Sequence, residues 1–203
     1  MNIKSLINRF TIYHYIISFL IVLSLVSAFF YEFSVKALLP ILIAILTTTL
    51  LDLFVEYFKS KTWVFPKSAL ISGLFIGGLL TQNLEWHIYA SAGAIAILSK
   101  HLIKIKQKHI FNPANLGILL VSIIFGVRHT WWISSPLILA LIFGIFIIWK
   151  LRRFDLTASF LVISSIGLAP LIKDGLLGSL LILSKIFSLL ASSSIITLFF
   201  FKF

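Results

Sequence analysis

The chain has 203 residues, of which 60% are hydrophobic and 11% charged, and its formal net charge is +11. Soluble domains run at about 45–50% apolar and about 25% charged, so this composition predicts an all-α integral membrane protein with no soluble domain of useful size. Cysteine is absent, which excludes disulfides, thiolate metal sites, covalent haem anchors and iron–sulfur ligands.

The positive charge is not a nucleic-acid footprint. It is spread over short connections between apolar runs, where lysine and arginine orient a chain against an anionic leaflet. Lys4 and Arg9 precede an apolar run, as in a signal peptide, and Ser27-Ala28 imitates a cleavage site. The run is long enough to span and further spans follow, so it reads as an uncleaved first helix.

Eight apolar segments follow one another: Thr11–Phe30, Val35–Phe54, Ser68–Thr81, Trp86–Leu98, Asn112–Gly126, Trp131–Trp149, Leu156–Leu171 and Leu176–Phe201. A full span needs about 20 apolar residues. The first, second, sixth and eighth reach that length, and the third to fifth fall short. The whole reads as a single transmembrane domain over 1–203.

Loop charges orient it. With the N-terminus inside and every segment crossing, the inner side carries Lys4, Arg9, Lys59, Lys61, Lys67, Lys100, Lys104, Lys106, Lys108, Lys150, Arg152, Arg153 and Lys202. The outer side carries Lys36, Arg128 and Lys173. That asymmetry predicts a multi-pass protein with an even number of crossings and both termini cytoplasmic. The third and fourth segments either cross or form a re-entrant hairpin. Pieces this short must be enclosed by protein rather than lipid.

Segment three contains Ser72-Gly73-Leu-Phe-Ile-Gly77-Gly78, and glycines four apart let a second helix approach closely. Trp86, Trp131, Trp132 and Trp149 stand at segment edges, as an interfacial belt would place them. Asp52 and Glu56 lie one turn apart at the inner end of segment two. They read as a solvated helix end near Lys59, with a cation site as the alternative. Lys185 falls inside segment eight beside Ser184, Ser188 and Ser192. It either serves a transport site or snorkels outward from the span's start. The five histidines, His14, His87, His101, His109 and His129, form no ligand-spaced pair, and no nucleotide loop or hydrolase motif appears.

The richest stretch runs from Lys100-His101 through Lys104, Lys106, Lys108 and His109 to Phe111-Asn112-Pro113-Ala114-Asn115. Pro113 suits the first turn of a helix, and Asn112 suits its N-cap. A helix with its positive dipole end therefore opens just past the lysines, where an anion or an electron-rich ring finds a favourable field. If the lysine run is helical, Lys100, Lys104 and Lys108 share a face that meets a phosphate. A capped membrane helix after a basic loop is the plainer alternative.

An ordered set of residues resembles the NqrB/RnfD family, the membrane subunits of sodium-pumping NADH:quinone reductase and of the Rnf electron-transport complex. The set comprises Ser68-Ala69-Leu70, Gly73, the run to Leu80, Trp86, Ala90–Ala96, Lys100-His101 and Phe111-Asn112-Pro113-Ala114. Leu137–Trp149 with Lys150, Arg152, Arg153, Leu156 and Ala158-Ser159-Phe160 is similar to the start of that family's second half. The likeness covers roughly residues 35 to 165. It implies an incomplete inverted-repeat NqrB/RnfD-like bundle that couples electron transfer to ion transport, working with other membrane subunits and not alone as an enzyme. It also implies two halves, 11–127 and a shortened 131–203, in a prokaryotic plasma (inner) membrane, and a non-covalent FMN, riboflavin or quinone near Lys100, Lys104, Lys108, Asn112, Asn115, Ser68 and Gly73. Asn112 and, from its place inside segment eight, Lys185 are the candidate transport residues. The family's Ser/Thr-Gly-Ala-Thr and Asp-Pro-Thr signatures are absent, so covalent flavin is not expected, and the chain reads as a shortened relative or a truncated product. Asn-Pro-Ala occurs once, whereas a water-channel constriction needs two. The alternatives are a small-solute or ion transporter on the same plan and a non-catalytic scaffold subunit.

Overall fold

A computed structural model describes residues 12–31, 35–61, 63, 65–105, 108–109, 112–128, 130–152 and 154. Segments seven and eight, with Lys185, lie outside the described residues. Among the described residues there are six α-helices: α1 (Ile12–Val26), α2 (Leu39–Ser60), α3 (Lys67–Leu79), α4 (Trp86–Leu102), α5 (Pro113–Phe125) and α6 (Leu137–Leu151). The chain divides into two compact units, Met1–Ser135 and Pro136–Phe203. The first holds α1–α5, the second α6.

Two predicted segments end too early. Segment two continues as helix to Ser60 and segment four to Leu102. Their charged tails are therefore helical, not loop. Segment six is interrupted instead: a 3₁₀ turn at Trp132–Ser134 closes the first unit, and α6 starts afresh after Pro136, whose ψ of 74° leaves the helical region. Proline also lacks the N–H that a continuous helix would require.

The first unit is built around α3. Ala69 and every residue from Ile71 to Leu79 are buried, so this short segment is enclosed by protein. Its glycines explain the fit. A Cβ on Gly73 would lie 2.6 Å from the Ile45 Cα, and one on Gly77 would lie 2.3 Å from the Ile41 Cα. α2 and α3 thus touch backbone to backbone and run antiparallel. Gly117 does the same for α5, where a Cβ would meet the Ala92 carbonyl at 2.4 Å. Gly93 packs against Thr47 and Thr48, which sets α4 parallel to α2.

The far end of α3 stops inside protein, and its last carbonyls find partners there, as buried helix ends must. The Trp132 indole donates to the Gly77 carbonyl at 3.0 Å, and Thr130 N–H donates to the Leu79 carbonyl at 3.0 Å. Trp132 is 4% exposed, so it is an internal plug and not part of an aromatic belt. Trp86 and Trp149 are largely exposed.

Two helices, Ile12–Phe29 and Lys36–Ser60, are long and apolar enough to cross a membrane. α2 is patterned inside out. Leu39, Leu42, Leu46, Leu50, Phe54 and Phe58 form an exposed stripe, while Ala44, Thr48, Thr49 and Asp52 face inward. A helix in water places its polar face outward.

Candidate functional site

The helices of the first unit alternate in direction, which brings the end of α2, the start of α3 and the end of α4 to one level. The register puts Ser68 of α3 opposite the turn of α2 that contains Asp52. On α4 the same level holds Lys100 and His101. Sequence proximity hides this, because Asp52 and Lys100 lie 48 residues apart.

Asp52 is the centre. It is 1% exposed, and both carboxylate oxygens are engaged. Oδ2 accepts from the Lys100 ammonium, and Oδ1 lies 2.7 Å from His101 Nε2. Lys100 also donates to the Ser68 hydroxyl at 3.0 Å. On its other side, His101 Nδ1 is 3.0 Å from Lys59 Nζ and 3.9 Å from Glu56 Oε1. An ammonium only donates. Lys59 therefore fixes Nδ1 as the acceptor, and the ring proton sits on Nε2, directed at Asp52. The ring is neutral in this arrangement, and it bridges a buried carboxylate and a rim where the Glu56 side chain is 41% exposed.

The solvated reading of Asp52 is thereby corrected. A lone carboxylate is costly away from water, but an ammonium and a ring N–H within hydrogen-bond reach stabilise one, and Lys100 and His101 supply them here. Glu56 keeps the expected rim position. Asp52, Glu56 and His101 each turn an oxygen or nitrogen to within 4.8 Å of the others. Lys100 bonds to Asp52 and Lys59 to His101, so these three groups are part of an ion-pair network.

The sequence-predicted residues separate into groups. Lys100 and Ser68 join the network directly. Gly73 lies one turn deeper on α3 and serves close packing against α2. Asn112 caps α5, its side-chain oxygen accepting from Ala114 N–H at 3.0 Å, and it is 2% exposed. Asn115 is half-buried in the first turn of α5. Because Gly117 packs on Ala92 and Ala96, the start of α5 falls level with the end of α4.

Lys104 and Lys108 do not continue the face of Lys100. α4 ends at Leu102, and the chain reverses through two paired strands, β1 (Lys104–Ile105) and β2 (Lys108–His109), with Lys104 opposite His109 and Ile105 opposite Lys108. Antiparallel neighbours such as α4 and α5 need a reversal between them, and isoleucine favours extended backbone. The predicted three-lysine phosphate face is not formed. Asp52, weighed as a cation site but read as solvated, and His101 and Lys59, read as basic surface, are the members missing from the predicted site residues. The available signal was an acid pair at i and i+4 in an otherwise apolar helix, together with a Lys-His pair ending another.

No family model, curated protein or solved structure matches the chain.

Proposed function

We propose that the chain is a membrane subunit of an Rnf/Nqr-like electron-transport assembly, holding a non-covalent flavin or quinone and coupling electron transfer to ion movement. The observation that carries this reading is the buried network itself. Ser68, Lys100 and His101, three residues of the ordered set that resembles the NqrB/RnfD family, meet around Asp52 inside a bundle with an apolar outer face. Ionisable residues inside a membrane bundle are costly and mark ion or substrate paths. The lipid bilayer accounts for the exposed Leu and Phe stripe of α2, and an inner-side position accounts for Lys59, Lys61, Lys67 and Lys100 gathering at one end.

The test is purification from native membranes in mild detergent. Flavin absorbance or an extractable quinone, with membrane partners co-purifying, is the expected result. A colourless protein that takes up neither ligand overturns the reading.

A transporter of small solutes or ions on the same plan is the second reading, favoured by the enclosed half-length α3, since short helices ending inside protein commonly line transport sites. Flux in liposomes from the isolated chain, lost in Asn112→Ala, supports it, and absent flux removes it.

A further inference from the structure

The geometry points to Asp52 as a proton-loading site, reached from the basic end of the bundle through the imidazole of His101. This deepens the proposed role by naming the proton as the coupled ion, and it rests on that role only for what the loaded proton is used for.

The argument is spatial. Among the described residues, His101 joins the buried carboxylate to Glu56 and Lys59: Nε2 stands 2.7 Å from Asp52 Oδ1, and Nδ1 stands 3.0 Å from Lys59 Nζ and 3.9 Å from Glu56 Oε1. The groups around Asp52 are Lys100 and His101 from α4, Ser68 from α3, and Glu56 and Lys59 from its own helix. Lys67 of α3 faces His14 of α1 at 3.2 Å. α5 contributes no titratable group.

The transfer balances. When the exposed Lys59 ammonium swings off Nδ1 and Glu56 closes on it, a proton taken from water by Glu56 passes to Nδ1 of the neutral ring. The ring releases its Nε2 proton to Oδ1. Asp52 becomes a neutral acid, Glu56 returns to its carboxylate, and the ring is left neutral with its proton on Nδ1. The ring resets when Asp52 unloads by the reverse route: Oδ1 returns its proton to Nε2, and Nδ1 releases its own to Glu56 and water. Imidazole suits this role because its two nitrogens accept and donate at opposite ends.

Loading has a structural consequence. Lys100 loses its anionic partner and keeps only the Ser68 hydroxyl. A partly buried ammonium held by one neutral acceptor is poorly stabilised, so the end of α4 is released from α2. Ser72 and Thr48, both buried, continue the polar lining one turn deeper than Ser68 and Asp52.

The experiment is infrared difference spectroscopy of the full chain in lipid nanodiscs after a downward pH jump. A carboxyl band that rises in the wild type and is missing in Asp52→Asn is expected. Its rise should slow at least about tenfold in His101→Phe, with the endpoint kept, because a relay group contributes on that order or more. Should His101→Phe fail to fold, ¹⁵N-histidine spectra of the wild type replace it. The His101 ring should then leave the Nε2–H form in step with the Asp52 band. The inference is overturned by the absence of an Asp52 band wherever the protein stays folded, by an unchanged rate without His101, or by a ring that keeps one tautomer throughout. Neither flavin nor partner is needed. A colourless protein whose Asp52 loads protons therefore sinks only the electron-transport reading, and a flavin-loaded one whose Asp52 does not sinks only this inference.

Discussion

Asp52 and Lys100 hold each other in place, and each becomes a liability without the other. Removing one member of a buried pair costs about 3–5 kcal/mol, while replacing both with apolar groups is often neutral. Asp52→Asn alone is therefore expected to lower thermal stability in detergent sharply, and the double variant Asp52→Leu/Lys100→Met to recover most of the loss. A scanning fluorescence melt that shows the double variant no better than the single one contradicts the pairing. Asn112 makes a smaller contribution of another kind. Its side chain satisfies one N–H of α5, so Asn112→Ala should cost about 1 kcal/mol and Asn112→Ser much less. Equal melting temperatures for the two variants would show that the cap does not stabilise the fold. This cap was legible beforehand, because asparagine before proline at a helix start acts through its nearest neighbours.

At the scale of elements, α3 depends on glycine where α2 crosses it. A methyl group on Gly77 would fall 2.3 Å from a backbone atom, which cannot move as a side-chain tip can. Gly77→Ala should force α2 and α3 apart and destabilise by about 1–3 kcal/mol, in line with overpacked cores. Gly144→Ala on α6 is the control, since nothing lies within 4 Å of its Cβ position. It should be neutral or stabilise by up to about 1 kcal/mol through helix propensity. Similar losses in both would mean that glycine matters for the chain's flexibility and not for this contact. The Gly-x-x-x-Gly spacing announced a close approach, though not the partner. The partner was set by which helix presents Ile41, Ala44 and Ile45 at matching height, and no local pattern encodes that. The same limit applies to Trp132. Its position at a segment edge suggested the membrane interface, while the open carbonyl of Gly77, far away in sequence, drew the indole inward.

For the molecule as a whole, the alternation of α1 to α5 sorts the charges. His14, Lys59, Lys67, Lys100 and His101 meet at one end, and Asn83 lies in the turn at the other, between α3 and α4. The chain has no cysteine, so it is ready for single-cysteine mapping. In sealed vesicles, Lys61→Cys should react with an impermeant thiol reagent only from the cytoplasmic side. Asn83→Cys should react only from the opposite side if α3 and α4 cross, and from neither side if they form a hairpin closed within the bilayer. Reaction of Lys61→Cys from outside would invert the topology and remove the cytoplasmic entry to Asp52.

The residues by themselves determined what depends on composition and short-range periodicity: an apolar helical chain, five helix positions in the first unit, the capped start at Pro113 and the glycine-lined face of α3. Each rests on a physical preference that acts within one or two turns. The tertiary structure alone decided the fate of the charges. Whether Asp52 meets water or Lys100, and whether the lysines beyond Leu102 share one face or two strands, depends on helices brought together from distant parts of the chain. Burial of a carboxylate is settled by its partners, and those partners are chosen by packing.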